Sequence, residues 1–237
     1  MENTQYIFRR VEKKYFITKE KADALRRELG DRILADVHGK STINSLYLDT
    51  DSFLLIRNSM SAREYKEKLR LRSYGEMRPD GRVFFEIKKK FKGVVYKRRV
   101  DMTFAQALEY IKTGQKPIDS QIMREIDYAM NIYGKIRPSL MISCEREAYY
   151  FAENPSLRLT FDYDIRYSVY PSQEQKRVID SDGAVMELKC DGAIPPWLSL
   201  ILSSHKIYPS SFSKYGRSYI DLCNLGNEIK EKVKTGV

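Results

Sequence analysis

Hydrophobic and polar positions alternate along much of the chain. Over residues 65–73, Lys66, Lys68, Arg70 and Arg72 fall on every second position, with Leu69 and Leu71 between them. A period of two is the mark of a strand with one apolar and one polar face. That strand has four cations and no anion on its polar face. Residues 8–17 alternate in the same way, with Arg10, Glu12 and Lys14 opposite Val11, Tyr15 and Ile17. Further strands are predicted over 42–49, 83–90, 94–100, 139–150, 157–165 and 185–189. Within 157–165, Leu157, Leu159, Phe161 and Tyr163 oppose Arg158, Thr160, Asp162 and Asp164.

Between the strands the period lengthens and helix punctuation appears. Thr18 suits the N-cap of a helix over 19–29, and Gly30 suits its end. Thr103 and Gln106 have capping-box spacing for a helix that stops at Gly114. Helices are also predicted over 119–133, over 197–204 and from 214 to the C-terminus, with a turn or short helix over 51–59. The sum is about eight strands in two groups, with helices between and around them. A closed antiparallel barrel with a charged lumen satisfies this pattern, and so does an open sheet with a charged, water-facing side.

The composition narrows the partner. Of 237 residues, 42 are Lys or Arg and 32 are Asp or Glu, a net charge of +10. Such an excess points to an anionic partner: phosphate-rich molecules, nucleic acid or a membrane surface. No RNP strand or GXXG loop is present, so nucleic acid is not expected. The three cysteines, Cys144, Cys190 and Cys223, lie far apart and form no CxxC pair. A disulfide framework or zinc site is therefore not expected, and a reducing, cytoplasmic setting fits. No signal peptide or membrane-spanning run is read from the sequence, while a membrane partner stays open.

Three acid–base pairs sit two residues apart on strands: Glu12–Lys14, Glu86–Lys88 and Glu187–Lys189. Simple mutual salt bridging would account for any one of them. Together with Lys68, Arg70, Arg72, Lys97, Arg99, Arg146 and Arg158, however, cations outnumber anions. A polyanion would balance that excess, and a carboxylate among the cations could hold a divalent metal through hard oxygen ligands.

The RxExK strand (10–14), KLRLR (68–72), FFEIK (84–88), the Glu187–Lys189 pair and SSFSKY (210–215) occur in an order that resembles one family. This is the VTC-type polyphosphate polymerase domain, a branch of the triphosphate tunnel metalloenzymes. The resemblance spans about residues 6–219 and implies one domain over 1–237. The implied fold is α+β, an antiparallel β-barrel tunnel with surrounding helices. The implied reaction is transfer of the γ-phosphoryl group of ATP onto a growing polyphosphate chain, with manganese or magnesium as the divalent cofactor. Hydrolysis of triphosphate or nucleotides, and non-catalytic binding of polyphosphate or RNA, are the alternatives.

The resemblance also implies roles. Lys14 stands at a phosphate-binding position on the first strand, Arg70 and Arg72 match paired tunnel arginines, and Lys88 matches a lysine on the next strand. Arg146 in SCEREAYY and Lys214 in SFSKY complete the catalytic candidates. Arg10, Lys68, Lys97, Arg158, Lys189 and Ser213 would bind phosphates. Glu187 takes the metal-binding glutamate position, with Glu12 as a second metal carboxylate. Two positions depart from the family pattern. Cys144 stands where a tyrosine is expected. Arg10 replaces the first glutamate of the ExExK signature of the hydrolase and cyclase relatives, which agrees with the polymerase branch. ATP, polyphosphate and pyrophosphate are the expected partners.

Overall fold

The computed structural model describes residues 10–62, 64–92 and 94–235, with side chains described except at 10, 38 and 226–235. In chain order the elements are β1 (Arg10–Thr18), α1 (Lys19–Leu29), a 3-10 turn (Gly30–Arg32), β2 (Ile33–Asp49), α2 (Leu54–Ser61), β3 (Tyr65–Tyr74), β4 (Arg82–Phe91) and β5 (Val94–Thr103). Next come α3 (Phe104–Thr113), α4 (Gln121–Tyr133), β6 (Arg137–Phe151), β7 (Asn154–Val169), the two-residue β8 (Lys176–Arg177), β9 (Gly183–Asp191), α5 (Pro196–Ser204) and α6 (Lys214–Thr235). Hydrogen-bonded strand order is β1-β9-β7-β6-β2-β3-β4-β5, with β8 on β7. The described pairings are antiparallel, so the fold is the α+β antiparallel class that the sequence predicts.

Local chemistry explains the element ends. The Thr18 hydroxyl accepts from Lys21 N, and Thr103 and Gln106 form the expected reciprocal capping box. Each satisfies amide groups that the first helical turn leaves without a partner. Gly114 ends α3 with φ 76°, a left-handed conformation that costs glycine little.

The chain forms two compact units. The first comprises the described residues up to 42, 144–164 and 179–212. Its core holds Tyr15, Ile17, Leu25 and Leu29 against Phe161, Met186, Leu188 and Leu198. The second comprises the described residues of 43–143, 165–178 and from 213 onward. There Leu46, Leu48, Leu69, Leu71, Phe85 and Ile87 pack on Ala107, Tyr110, Met123 and Ile126 of α3 and α4. Strands β2, β6 and β7 contribute residues to both units.

Two strands depart from the predicted pattern. β2 begins at Ile33 rather than near 42. β7 runs from Asn154 to Val169, longer at both ends than the predicted 157–165. Asp164 has φ 43°, a left-handed conformation that aspartate tolerates better than most residues, and beyond it Ile165 and Tyr167 continue the odd-numbered buried series. Among the described residues, no helix is long and apolar enough to cross a membrane.

Candidate functional site

Each unit carries a charged face on its part of the sheet. In the second unit, β3, β4 and β5 run side by side in strict register. Lys68 lies opposite Lys88, which lies opposite Lys97; Arg70 lies opposite Glu86, which lies opposite Arg99. Leu69, Leu71, Phe85 and Ile87 turn the other way, into the core. Apolar burial under α3 and α4 therefore forces six cations, including Arg72, onto the opposite face together with Glu86 and Asp101.

Glu86, only 1% exposed, is the hub of this face. Its Oε2 accepts from Arg70 Nε at 2.8 Å and lies 2.7 Å from Arg70 Nη2 and 3.8 Å from Arg72 Nε. Its Oε1 sits 2.6 Å from Lys97 Nζ. Burial alone would raise the Glu86 pKa. Arg70, Arg72 and Lys97 outweigh it and hold the carboxyl at about 2. Lys97 is pushed down to about 7, first by burial and then by Arg72 and Arg70, against the pull of Glu86. The two shifts are compatible, because one carboxylate shared among three cations is already neutralised by the guanidinium groups. The lysine is the member that can release its proton. Glu86 thus pairs across the strands, with Arg70 and Arg72 of β3 and Lys97 of β5.

Residues not singled out in the sequence complete this face. Tyr47, opposite Arg70 on β2, accepts a hydrogen bond from Arg70 Nη1 at 3.1 Å. Burial pushes its hydroxyl up, but Arg70, Lys68 and Arg72 bring it down to about 7. Lys68 Nζ donates to Ser213 Oγ at 2.9 Å, and Gly216 N also donates to that oxygen at 3.1 Å. Ser213 and Lys214 stand at the start of α6, which Tyr215 anchors. The Tyr215 ring stacks on Tyr47 with centroids 4.2 Å apart. Its hydroxyl donates to Asp49 Oδ2 at 2.8 Å and lies 3.0 Å from Ser139 Oγ. Asp49 is fully buried, accepts from Leu55 N and Ile56 N, and so also caps α2. The signal for Tyr47 was present in SLYLD, where it alternates with Leu46 and Leu48.

The first unit carries the other face. β1 pairs with β9 so that Glu12 opposes Lys189 and Lys14 opposes Glu187. β9 pairs with β7 so that Lys189 opposes Arg158 and Glu187 opposes Thr160. Here the neighbour pairs do form: Lys14–Glu12 at 3.6 Å and Lys189–Glu187 at 3.3 Å. Lys14 Nζ also donates to the Phe212 carbonyl at 3.3 Å. Arg146 clamps Asp162 with two bonds, at 2.6 and 2.7 Å, and Asp162 is 1% exposed. Arg158 is exposed. The side chain of Arg10 lies outside the described residues.

Glu187 is held well below the usual carboxylate range. Burial opposes this, and Lys189, a hydrogen bond with Glu12, Lys14 and Arg146 outweigh it. The Glu12 and Glu187 carboxyl groups are therefore in contact, on a face where Thr160 Oγ1 is buried with no hydrogen-bond partner. Two adjoining carboxyl groups and a hydroxyl form a hard-oxygen donor set. No cluster of three or more His, Cys, Asp or Glu suited to a metal occurs among the described residues. A divalent ion that keeps several waters or phosphate oxygens needs only one or two protein carboxylates, and the donors present fit it.

The comparisons agree with this reading of the fold. A candidate adenylate cyclase from Bacillus halodurans superposes with a TM-score of 0.54 at 14% identity, covering 86% of this chain and 92% of that one. A candidate adenylyl cyclase from Hippeastrum, described as having a dominant triphosphatase activity, superposes with a TM-score of 0.53 at 17% identity, covering 88% and 95%. At these identities the likeness is one of fold. No curated protein matches the sequence. A family model for the VTC domain matches residues 9–222, nearly the whole chain. With that match and the charged faces of its strands, the chain belongs to the VTC domain family.

Proposed function

We propose that the protein is a polyphosphate polymerase that transfers the γ-phosphoryl group of ATP to a growing polyphosphate chain. The observation that carries this reading is the face of β3, β4 and β5, where Lys68, Arg70, Arg72, Lys88, Lys97 and Arg99 outnumber Glu86 and Asp101, and Glu86 serves three of them. An excess of cations on one face favours the binding of anions there.

Phosphoryl transfer asks a protein mainly for positioning and charge stabilisation. Arg70 and Arg72 present planar donors suited to phosphate oxygens. Lys68, Lys88 and Lys97 add point charges, and Ser213 and Lys214 stand at the α6 start, where Lys68 bonds Ser213. Lys14, Lys189, Arg158, Arg10 and Arg146 are the first unit's phosphate-binding candidates. Of these, Arg146 acts chiefly by fixing Asp162. Glu187 and Glu12 would hold the divalent ion, manganese or magnesium, which supplies charge neutralisation on phosphoryl oxygens when bound. The low Glu187 pKa keeps that carboxyl ionised and ready to act as a ligand. In this reading residues 1–237 work as one domain, which the extent of the family match supports.

Hydrolysis is the second reading. The activity described for the Hippeastrum protein favours it, and Arg10 in place of a metal-site glutamate disfavours it. Incubation with ATP and manganese decides between them. Long polyphosphate on a gel supports the polymerase. Orthophosphate alone supports the hydrolase, and neither product identifies a polyanion binder.

A further inference from the structure

The apolar face of the second unit's sheet extends past its helix cover. Leu69, Leu71, Phe85 and Ile87 are sealed in the core with α3 and α4. Further along the same face, in register, come Tyr65 opposite Phe91, Phe91 opposite Val94, and Lys89 opposite Tyr96. Tyr65 is 42% exposed, Phe91 46%, Val94 40% and Tyr96 50%. Four large apolar side chains thus meet water at one end of three neighbouring strands, around the β4–β5 turn. A contiguous exposed apolar patch ringed by polar groups marks an interaction surface.

Cations outnumber acids around this patch, although exposed Glu64 adjoins Tyr65 and Arg98 pairs with Glu125 at 3.8 Å. Residues 88–99 hold seven cations and no acid: Lys88, Lys89, Lys90, Lys92, Lys97, Arg98 and Arg99. Lys90 and Lys92 are exposed, and Lys92 Nζ stands 5.4 Å from the Phe91 ring centroid. Nearby Glu67 is buried and committed to Tyr133 and Lys89.

We propose that this end of the β3–β4–β5 ribbon docks on the surface of an anionic phospholipid bilayer. Phe91, Val94, Tyr65 and Tyr96, on one face of the ribbon's end, would enter the headgroup–acyl boundary, and Lys92 at the turn, with Lys66 and Lys90 on the other face of that end, would meet lipid phosphates. Aromatic and aliphatic side chains interleaved with lysines are what that boundary accommodates. A phosphate chain accounts for the lysines but offers nothing apolar to Val94 and Phe91. Stacked nucleobases need open ring faces, whereas Lys92 covers the face of Phe91 and Val94 has none.

The test is co-sedimentation of the full chain with vesicles at low ionic strength. Vesicles of phosphatidylcholine alone are compared with vesicles containing about one third phosphatidylserine. The protein should sediment with the second and not the first, and added salt should release it. Phe91→Ser with Tyr96→Ser, and separately Lys90→Glu with Lys92→Glu, should each lower the bound fraction about tenfold or more. Phe91→Leu, which keeps the apolar bulk, should retain binding, and a wild-type circular dichroism spectrum for each variant excludes misfolding as the cause. Absence of binding to the phosphatidylserine vesicles overturns the proposal, as does wild-type binding by either double variant. Loss of tripolyphosphate or poly(U) binding in the variants, with vesicle binding unaffected, overturns it in favour of a polyanion track.

Discussion

The two charged faces are built from similar strands and come out electrically opposite in design. In the first unit each acid has a cation close at hand: Glu12 with Lys14, Glu187 with Lys189, Asp162 with Arg146. Two of those acids, Glu12 and Glu187, also touch each other. In the second unit, Glu86 serves Arg70, Arg72 and Lys97 at once. A near-neutral face with adjoining carboxyls suits a small cation. A face with cations in excess suits a polyanion. The difference arises from register, because the same ExK spacing gives local pairs on β1 and β9 and a shared hub on β4.

The largest expected effect tests the first face. Glu187→Gln should lower manganese-dependent turnover by at least about 10³-fold while the thermal midpoint stays near wild type. Normal turnover in that variant would remove the metal role. Next comes the hub of the second face. Glu86→Gln strands Arg70, Arg72 and Lys97 without their counter-ion, and breaking such a buried cluster should cost about 3–5 kcal/mol in urea denaturation. Tripolyphosphate should recover more stability in this variant than in wild type, and equal recovery would mean that the face does not bind phosphate.

Titration sharpens the contrast. Glu86 has a folded pKa of about 2 against an ordinary 4.5. Its contribution is therefore present above pH 4.5 and lost as pH falls through about 2. About 3 kcal/mol should disappear across that window, and Glu86→Gln should flatten it. Lys97 gives the opposite sign. Its folded pKa is depressed to about 7 from 10.5, so between those values the unfolded chain binds the extra proton. Stability should rise with pH there, modestly, since over a third of the Lys97 side chain is exposed. Affinity for tripolyphosphate should instead fall as pH rises through about 7, measured by calorimetry, and Lys97→Met should reduce both trends, leaving the share that Tyr47, also brought down to about 7, supplies. The smallest effect is Thr160→Val. Removing a buried hydroxyl that has no partner should stabilise the metal-free protein by up to about 1 kcal/mol. Destabilisation would show that the hydroxyl is bonded.

Much of this was legible in the chain. The cap at Thr18, the box at Thr103 and Gln106 and the period-two stretches located α1, α3, β3 and β4 closely, because those signals are local. The cation-rich face of β3 was legible for the same reason, since alternation assigns faces without tertiary information. Tyr47, Asp49, Tyr215 and Thr160 were not legible as site residues. Their roles depend on contacts between residues far apart in sequence, such as the Tyr215–Asp49 bond across 166 positions.

The sequence by itself determined which side chains share a face, the excess of positive charge and the motif order that resembles the VTC family. The tertiary structure decided which opposite charges meet. It made Glu86 a hub for Arg70, Arg72 and Lys97 and set Glu187 beside Glu12. The physical reason is that face assignment follows from backbone geometry two residues at a time. Charge pairing depends on interstrand register, which is set by packing the two apolar cores.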